Sequence, residues 1–324
     1  MEKKIIVTGA NGFIGANLCN YLKSGGYDVH CLVRKGSDLR LLNRDQEIIR
    51  CDYTNKEQLE QVLSKFDIVI HCAALTKAKT FEEFYQTNVK LTEDVVNICA
   101  VSENKPQLVF LSSQAAAGPS KGTSPKKEDG KEYPLSWYGI TKLLAERRVK
   151  SYPNNWTIIR PSSVYGEGDK DFLSYFKMVK FHLSPIPGMN TKYISLIYVF
   201  DLIKIIEKCL SNPKADKQVF HAADDAVYTV EDFLTALCDV MGKKCINFRV
   251  SDKILCSVAS SLDYVFHYSK KPMMLNKEKA LELSQESWLL DSKKTTETLE
   301  TQLIPDLHGN LKKTYKWYRE KRYL

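Results

Sequence analysis

The sequence lacks any apolar run of the roughly 18 residues that a transmembrane helix needs, so no membrane span is expected. The densest candidate, Ile254 to Phe266, is short and carries Asp263, and it reads as a packed helix rather than a membrane contact. No C-x-x-C pair occurs among the nine cysteines (19, 31, 51, 72, 99, 209, 238, 245, 256), and no metal site is expected. Cys31, Cys72 and Cys99 sit inside apolar runs, where free cysteine behaves as a small hydrophobe. That usage fits a reducing cytoplasm. The opening Met-Glu-Lys-Lys runs straight into a strand, which leaves no room for a signal peptide. Internal repeats and low-complexity tracts are absent. Acidic residues are outnumbered, 39 against 47 lysines and arginines, for a net charge of +8. The lysines are spread along the chain, so they read as a solvated surface rather than a nucleic-acid footprint. The sign also suits an anionic ligand such as a dinucleotide phosphate.

What is present is ordinary for a soluble globular protein: 324 residues, 44% hydrophobic and 27% charged. That length allows one large domain, or one domain with an appended lobe. Lys4 to Thr8 is a short β-branched run that breaks into Gly9-Ala-Asn-Gly12-Phe13-Ile14-Gly15, and a helical pattern follows. In a strand–turn–helix context, glycines let the backbone turn tightly and approach a pyrophosphate held on the helix N-terminus. The second strand, Tyr27 to Val33, ends in Arg34-Lys35. An acid at that tip would hold the ribose hydroxyls of NAD, whereas an arginine pairs with a 2′-phosphate. NADP is therefore expected over NAD.

Further strands are expected at Ile48–Cys51, with Asp52 just beyond, at Phe66–His71, followed by Cys72-Ala73-Ala74, at Gln107–Leu111, ending in Ser112-Ser113, and at Thr157–Arg160, closed by Pro161. A helix from about Phe81 to Val101 carries Asn88. Strands alternating with helices predict an α/β, Rossmann-type doubly wound parallel sheet over residues 1–160. Ligands bind such sheets beyond the carboxyl ends of the strands. Residues 161–324 read as a smaller substrate lobe, with interleaved segments returning to the sheet and helices near Val199–Ser211 and Val230–Met241. A basic amphipathic helix is expected over Leu311–Leu324, docked on the body.

Tyr138 and Lys142 stand four residues apart on a predicted helix, so they share one face. A phenol is a weak acid with a pKa of about 10, and a nearby cation favours its phenolate. That pairing suits acid/base work on a carbonyl oxygen or a secondary alcohol.

Four motifs in order resemble the extended short-chain dehydrogenase/reductase superfamily, the NAD-dependent epimerase/dehydratase family. They are T-G-A-N-G-F-I-G (8–15), L-S-S-Q-A-A-A-G (111–118), Y-G-I-T-K (138–142) and R-P-S-S-V-Y-G-E-G-D (160–169). A fifth, S-L-I-Y-V-F-D-L (195–202), resembles the segment by which the substrate lobe rejoins the sheet. The run from Ser112 to Ser120, the short reach from Arg160 to Ser195 and V-F-H-A-A-D-D (219–225) resemble the dihydroflavonol 4-reductase-like and 3β-hydroxysteroid dehydrogenase-like branch. The resemblance implies catalytic roles for Ser113, Tyr138 and Lys142. It implies cofactor contacts from Gly9, Gly12, Phe13, Ile14, Gly15, Arg34, Asp52, Ala73, Ala74, Asn88, Tyr138, Lys142, Pro161 and Ser163.

It further implies an NAD(P)-dependent enzyme that moves hydride between nicotinamide and a ketone or secondary alcohol. The alternative is a nucleotide-sugar epimerase or dehydratase that retains its cofactor. Dehydration is disfavoured because Gln114, not an acid, follows Ser113. A non-catalytic sensor or scaffold would have lost the tyrosine or the lysine. Val33 and Phe200 depart from the pattern, the first at the cofactor and the second toward the substrate. A small-molecule partner is expected, with no nucleic acid, and a homodimer is admitted.

Overall fold

The computed structural model of the protein describes residues 3–265 and 276–324. Seven strands form its central sheet: β1 (Ile5–Thr8), β2 (Val29–Val33), β3 (Glu47–Arg50), β4 (Ile68–His71), β5 (Gln107–Leu111), β6 (Trp156–Pro161) and β7 (Gln218–Ala222). Their spatial order is β7-β6-β5-β4-β1-β2-β3, and every pairing is parallel. Parallel neighbours need crossover connections, and the crossing helices cover both faces. This is why β1, β4 and β6 are buried along their whole length. On one face Leu18, Leu22, Ile203 and Ile206 pack against Val7, Ile70 and Val109. On the other, Val95, Cys99, Ala145 and Val149 pack against Ile6, Val69 and Leu108. The chain order reverses between β1 and β4, and the crevice beyond that point is where an open parallel sheet binds its ligand.

The expected strands fall within two residues of the observed ones. β7 is the exception: sequence pattern alone did not mark 218–222 as a strand. Its register (Val219 beside Ile158, Ala222 beside Pro161) brings a segment from the second half of the chain onto the sheet edge. The helix Val199–Ser211 returns with it, and both Tyr21 and Tyr27 donate hydroxyl hydrogen bonds to Glu207 on it, at 2.9 and 3.1 Å.

Small sheets build the rest. Ser163–Tyr165 pairs with Leu196–Tyr198, Leu183–Pro187 pairs with Ile246–Val250, and Tyr193–Ile194 lies between Tyr228–Thr229 and Ser287–Trp288. The C-terminal helix runs Leu307–Glu320, earlier than expected, because the Asp306 carboxylate caps it by accepting from Gly309 N at 2.9 Å. It docks through Tyr318, which is fully buried against Phe176 and donates to Asp169 O at 2.7 Å.

One expectation needs correction. The stretch read as a packed helix over Ile254–Phe266 is a helix over Asp252–Val265, while Phe266 lies outside the described residues. Ala259 is buried on it, but Ile254, Val258 and Val265 face solvent. Apolar periodicity marks an amphipathic helix without saying whether its apolar face is covered. No helix among the described residues is long and apolar enough to cross a membrane.

Candidate active site

The turn after β1 is shaped by a close approach of two backbones. Gly9 has φ of +66°, and a Cβ there would lie 2.7 Å from Ala73 Cα, beyond the end of β4. Only glycine tolerates both. Gly12 N donates to Gly9 O at 3.0 Å, closing the turn. Gly12 then caps the 12-residue helix Phe13–Ser24, which has no acid in its first turn and carries Phe13, Ile14 and Gly15 at its start. Tyr53 is a member that pattern reasoning missed. Its hydroxyl donates to Leu32 O at 2.7 Å and accepts from Gly9 N at 3.1 Å, tying the glycine turn to β2.

Arg34 stands exposed one residue beyond β2. Asp52 lies two residues beyond β3, its carboxylate held by Thr54 N and Oγ1 at 2.9 and 2.8 Å, which lower its pKa. Ala73 and Ala74 line the turn after β4. Asn88 fixes the next loop: its Oδ1 accepts from Leu75 N at 2.8 Å, and its Nδ2 donates to Leu75 O at 3.0 Å and Thr141 Oγ1 at 3.1 Å. It sits in a π-helical segment, Tyr85–Lys90, within the helix expected over 81–101. Such bulges recur where a side chain must be aimed. Beneath them His71 bridges Thr8 Oγ1 (2.7 Å) and Thr92 Oγ1 (3.0 Å). Burial, with the Lys142 charge beside it, pushes its pKa down to about 3, so it is neutral.

The helix Trp137–Lys150 carries Tyr138 and Lys142, and it lies directly on the Gln114–Ala117 turn that Ser113 caps. Gly139 permits that contact, because a Cβ there would meet Ala115 O at 2.4 Å. Ser113 and Tyr138 are thereby brought within hydrogen-bonding reach. Burial pushes the Tyr138 phenol up to about 12; the Ser113 bond and Lys279 pull it down, while Glu282 and Asp171 push it up. The expected lowering by Lys142 is not among the influences on Tyr138. Lys142 is 1% exposed, and its ammonium donates to Leu111 O at 2.6 Å over the Phe110 ring. Burial lowers its pKa to about 7, with Glu146 and Cys72 favouring the charged form. One turn further along the helix, Glu146 is fully buried, accepts from Ser112 Oγ at 2.5 Å and binds Arg160 through two bonds of 2.8 and 2.6 Å. This underpinning has no short sequence signature, since its three members lie on different elements.

Residues 5–223 match the NAD dependent epimerase/dehydratase family. The chain belongs to that family. It is therefore an NAD(P)-dependent oxidoreductase or epimerase of the extended short-chain dehydrogenase type. A ceramide reductase of Caulobacter vibrioides is 26% identical over 322 residues, 97% of this chain and 94% of that protein. A UDP-glucose 4-epimerase of Vibrio cholerae is 28% identical over 263 residues, 75% of this chain and 77% of that one. The solved UDP-glucose 4-epimerase of Thermotoga maritima has the same fold, with a TM-score of 0.78 at 20% identity over 98% of this chain and 99% of that one.

The family's nicotinamide dinucleotide fits the residues present. The Gly9–Ala73 approach leaves a cradle that any Cβ would fill, and the acid-free helix start at Gly12 offers amides to a pyrophosphate. The second half of the chain closes over this edge. Asn17 Nδ2 donates to Glu167 O at 2.8 Å, and Lys77, in the loop after β4, pairs with Asp171. Pro161 is buried at the end of β6, and Ser163 accepts from Gln114 Nε2 at 3.2 Å. From the far side, Glu278 accepts from Trp137 N, and Glu282 accepts from Ser136 Oγ at 2.7 Å. These bonds clamp the start of the Tyr138 helix.

Proposed function

We propose that this enzyme moves hydride reversibly between NADP(H) and a ketone or secondary alcohol on an apolar substrate. Gly9, Gly12, Phe13, Ile14 and Gly15 would hold the pyrophosphate, Arg34 the 2′-phosphate, and Asp52 the adenine. Ala73, Ala74, Asn88, Pro161 and Ser163 would border the rest, with Lys142 on the nicotinamide ribose. Residues 1–160 would carry the dinucleotide and 161–324 the substrate, with the 199–211 helix and β7 rejoining the sheet. The bound nicotinamide supplies or accepts the hydride. Ser113 holds the substrate oxygen by hydrogen bond. Tyr138 gives its proton to that oxygen as the carbonyl carbon is reduced, and takes one back in the reverse direction. Lys142 stabilises the phenolate left behind.

The observation that carries this reading is the surrounding of Tyr138. Its ring lies 6.3 Å from Phe84, with Trp137 against Phe81 beside it. Two nearby cations already have carboxylate partners: Lys77 pairs with Asp171, and Lys279 with Glu282 at 3.2 Å. Paired cations and neighbouring aromatic rings suit an apolar group better than a diphosphate. The ceramide reductase, aligned over nearly the whole chain, supports the same direction. A second reading, internal epimerisation of a nucleotide sugar with retained NAD(P), is favoured by the Vibrio cholerae relative. A panel of long-chain keto compounds with NADPH, followed at the nicotinamide absorbance, separates the two. Net NADPH consumption is expected; isomerisation of UDP- or GDP-sugars without net cofactor change would overturn the proposal.

A further inference from the structure

Among the described residues, the second half of the chain presents an apolar surface that no other element covers. In the Leu183–Pro187/Ile246–Val250 pair, the register sets Ile246 beside Leu183 and Phe248 beside Pro185, so their side chains share one face. The opposite face is occupied: Arg249 pairs with Glu231 and donates to Asn190 O at 3.1 Å. The next element, the Asp252–Val265 helix, repeats the pattern, with Ile254 and Val258 one turn apart on its outer face. Phe181, Leu183, Ile246, Phe248, Ile254 and Val258 are each 41–72% exposed. Scattered exposed apolar residues are normal on a soluble protein, but a group on consecutive elements marks an interaction surface.

Charge identifies the partner. Segments 177–190 and 242–251 contain Lys177, Lys180, Lys243, Lys244 and Arg249 and no acid. Lys253 follows in the first turn of the helix, whose opening Asp252 is taken up by Lys192 at 2.8 Å. Among the described residues, no acidic side chain pairs with Lys177, Lys180, Lys243, Lys244 or Lys253. We propose that this surface docks the enzyme on an anionic lipid bilayer, with Phe181, Ile246, Phe248 and Ile254 entering the headgroup region and the unpaired lysines meeting the lipid phosphates. Apolar residues rimmed by lysine are the composition of peripheral membrane attachment, in which both terms add. A second copy of this chain is a poorer occupant, because it would bring the same unpaired cations face to face. The proposal stands on this surface alone and is independent of the substrate assigned above.

The test is sedimentation of the full chain with vesicles of mixed phosphatidylglycerol and phosphatidylcholine, against phosphatidylcholine alone, at low and high salt. Binding to the anionic vesicles that weakens with salt is expected. Lys243→Glu/Lys244→Glu should weaken partitioning by at least about 25-fold, at about fivefold per lysine lost. Ile254→Asp/Val258→Asp should weaken it as well, and both variants should keep the parental circular dichroism and thermal midpoint. Absence of binding to anionic vesicles overturns the proposal, as does equal binding by the parent and both folded variants. A parental dimer that the Ile254→Asp/Val258→Asp variant turns into a monomer, without vesicle binding, assigns the surface to self-association and also overturns it.

Discussion

Tyr138→Phe removes one oxygen while keeping the ring that packs 6.3 Å from Phe84. The protein's own groups push that phenol up to about 12, chiefly by burial. Holding it as phenolate at pH 7 would therefore take about 7 kcal/mol, from five pH units at about 1.4 kcal/mol each. Lys142 is poorly set to supply all of this, with its ammonium on Leu111 O and its own pKa at about 7. The resting site is an acid rather than a base, ready to donate a proton as a carbonyl is reduced. Ketone reduction should consequently show no loss of the Tyr138 proton up to pH 9, whereas alcohol oxidation should speed up as pH rises. A general acid contributes about 10²–10⁴-fold, so Tyr138→Phe should lower kcat for reduction by at least the lower bound. NADPH affinity should change little, because the glycine turn and Arg34 are untouched. Steady-state rates in both directions from pH 6 to 9, with fluorescence titration of NADPH, measure all three quantities. Near-parental reduction by Tyr138→Phe on a confirmed substrate would refute the assignment and leave Tyr138–Lys142 as a helix face.

Arg34→Asp should reverse the cofactor preference in calorimetry from NADPH to NADH; tighter NADH binding by the parent would sink the 2′-phosphate role. Lys142 has a pKa depressed from 10.5 to about 7 by burial, so between those values the unfolded chain holds more protons and stability should rise with pH. Lys142→Met should accordingly raise the thermal midpoint at pH 6 while weakening NADPH binding, and a lowered midpoint would contradict the burial argument. Glu146→Ala leaves the Arg160 guanidinium, 1% exposed, with Glu132 as its remaining partner. Loss of a buried partner costs about 3 kcal/mol, to be read from chemical denaturation, and a change within ~0.5 kcal/mol would show that Glu132 suffices.

Much of the sheet was readable because a buried parallel strand is a near-continuous β-branched run, as in Ile5–Thr8 and the Ile68-Val69-Ile70 of β4. The helices at Val199–Ser211 and Val230–Met241 were equally plain, since their apolar residues repeat with the helical period. β7 was missed because glutamine and histidine break up the apolar residues of Q-V-F-H-A, which gains its identity only from β6 beside it. The same limit applies to Tyr53, which reaches the glycine turn across β2. Ser136 and Trp137 are likewise held by Glu282 and Glu278, more than 140 residues away. No spacing rule links such pairs.

The sequence by itself determined which residues could meet at one edge of a parallel sheet. Local backbone preference sets strand, glycine turn and helix, and the chain order of those elements puts Gly9, Arg34, Asp52, Ala73, Ser113 and Pro161 at carboxyl ends or just beyond them. Tertiary structure decided their chemical state. Burial sets Tyr138 as an acid and strips Lys142 of part of its charge, because desolvation depends on what the whole fold packs around a group. It also decided which apolar faces are covered. The helices Val199–Ser211 and Asp252–Val265 are both amphipathic, yet one lies against the sheet and the other leaves Ile254 and Val258 in water, because a sequence pattern gives a helix its apolar face while only the remaining chain can cover it.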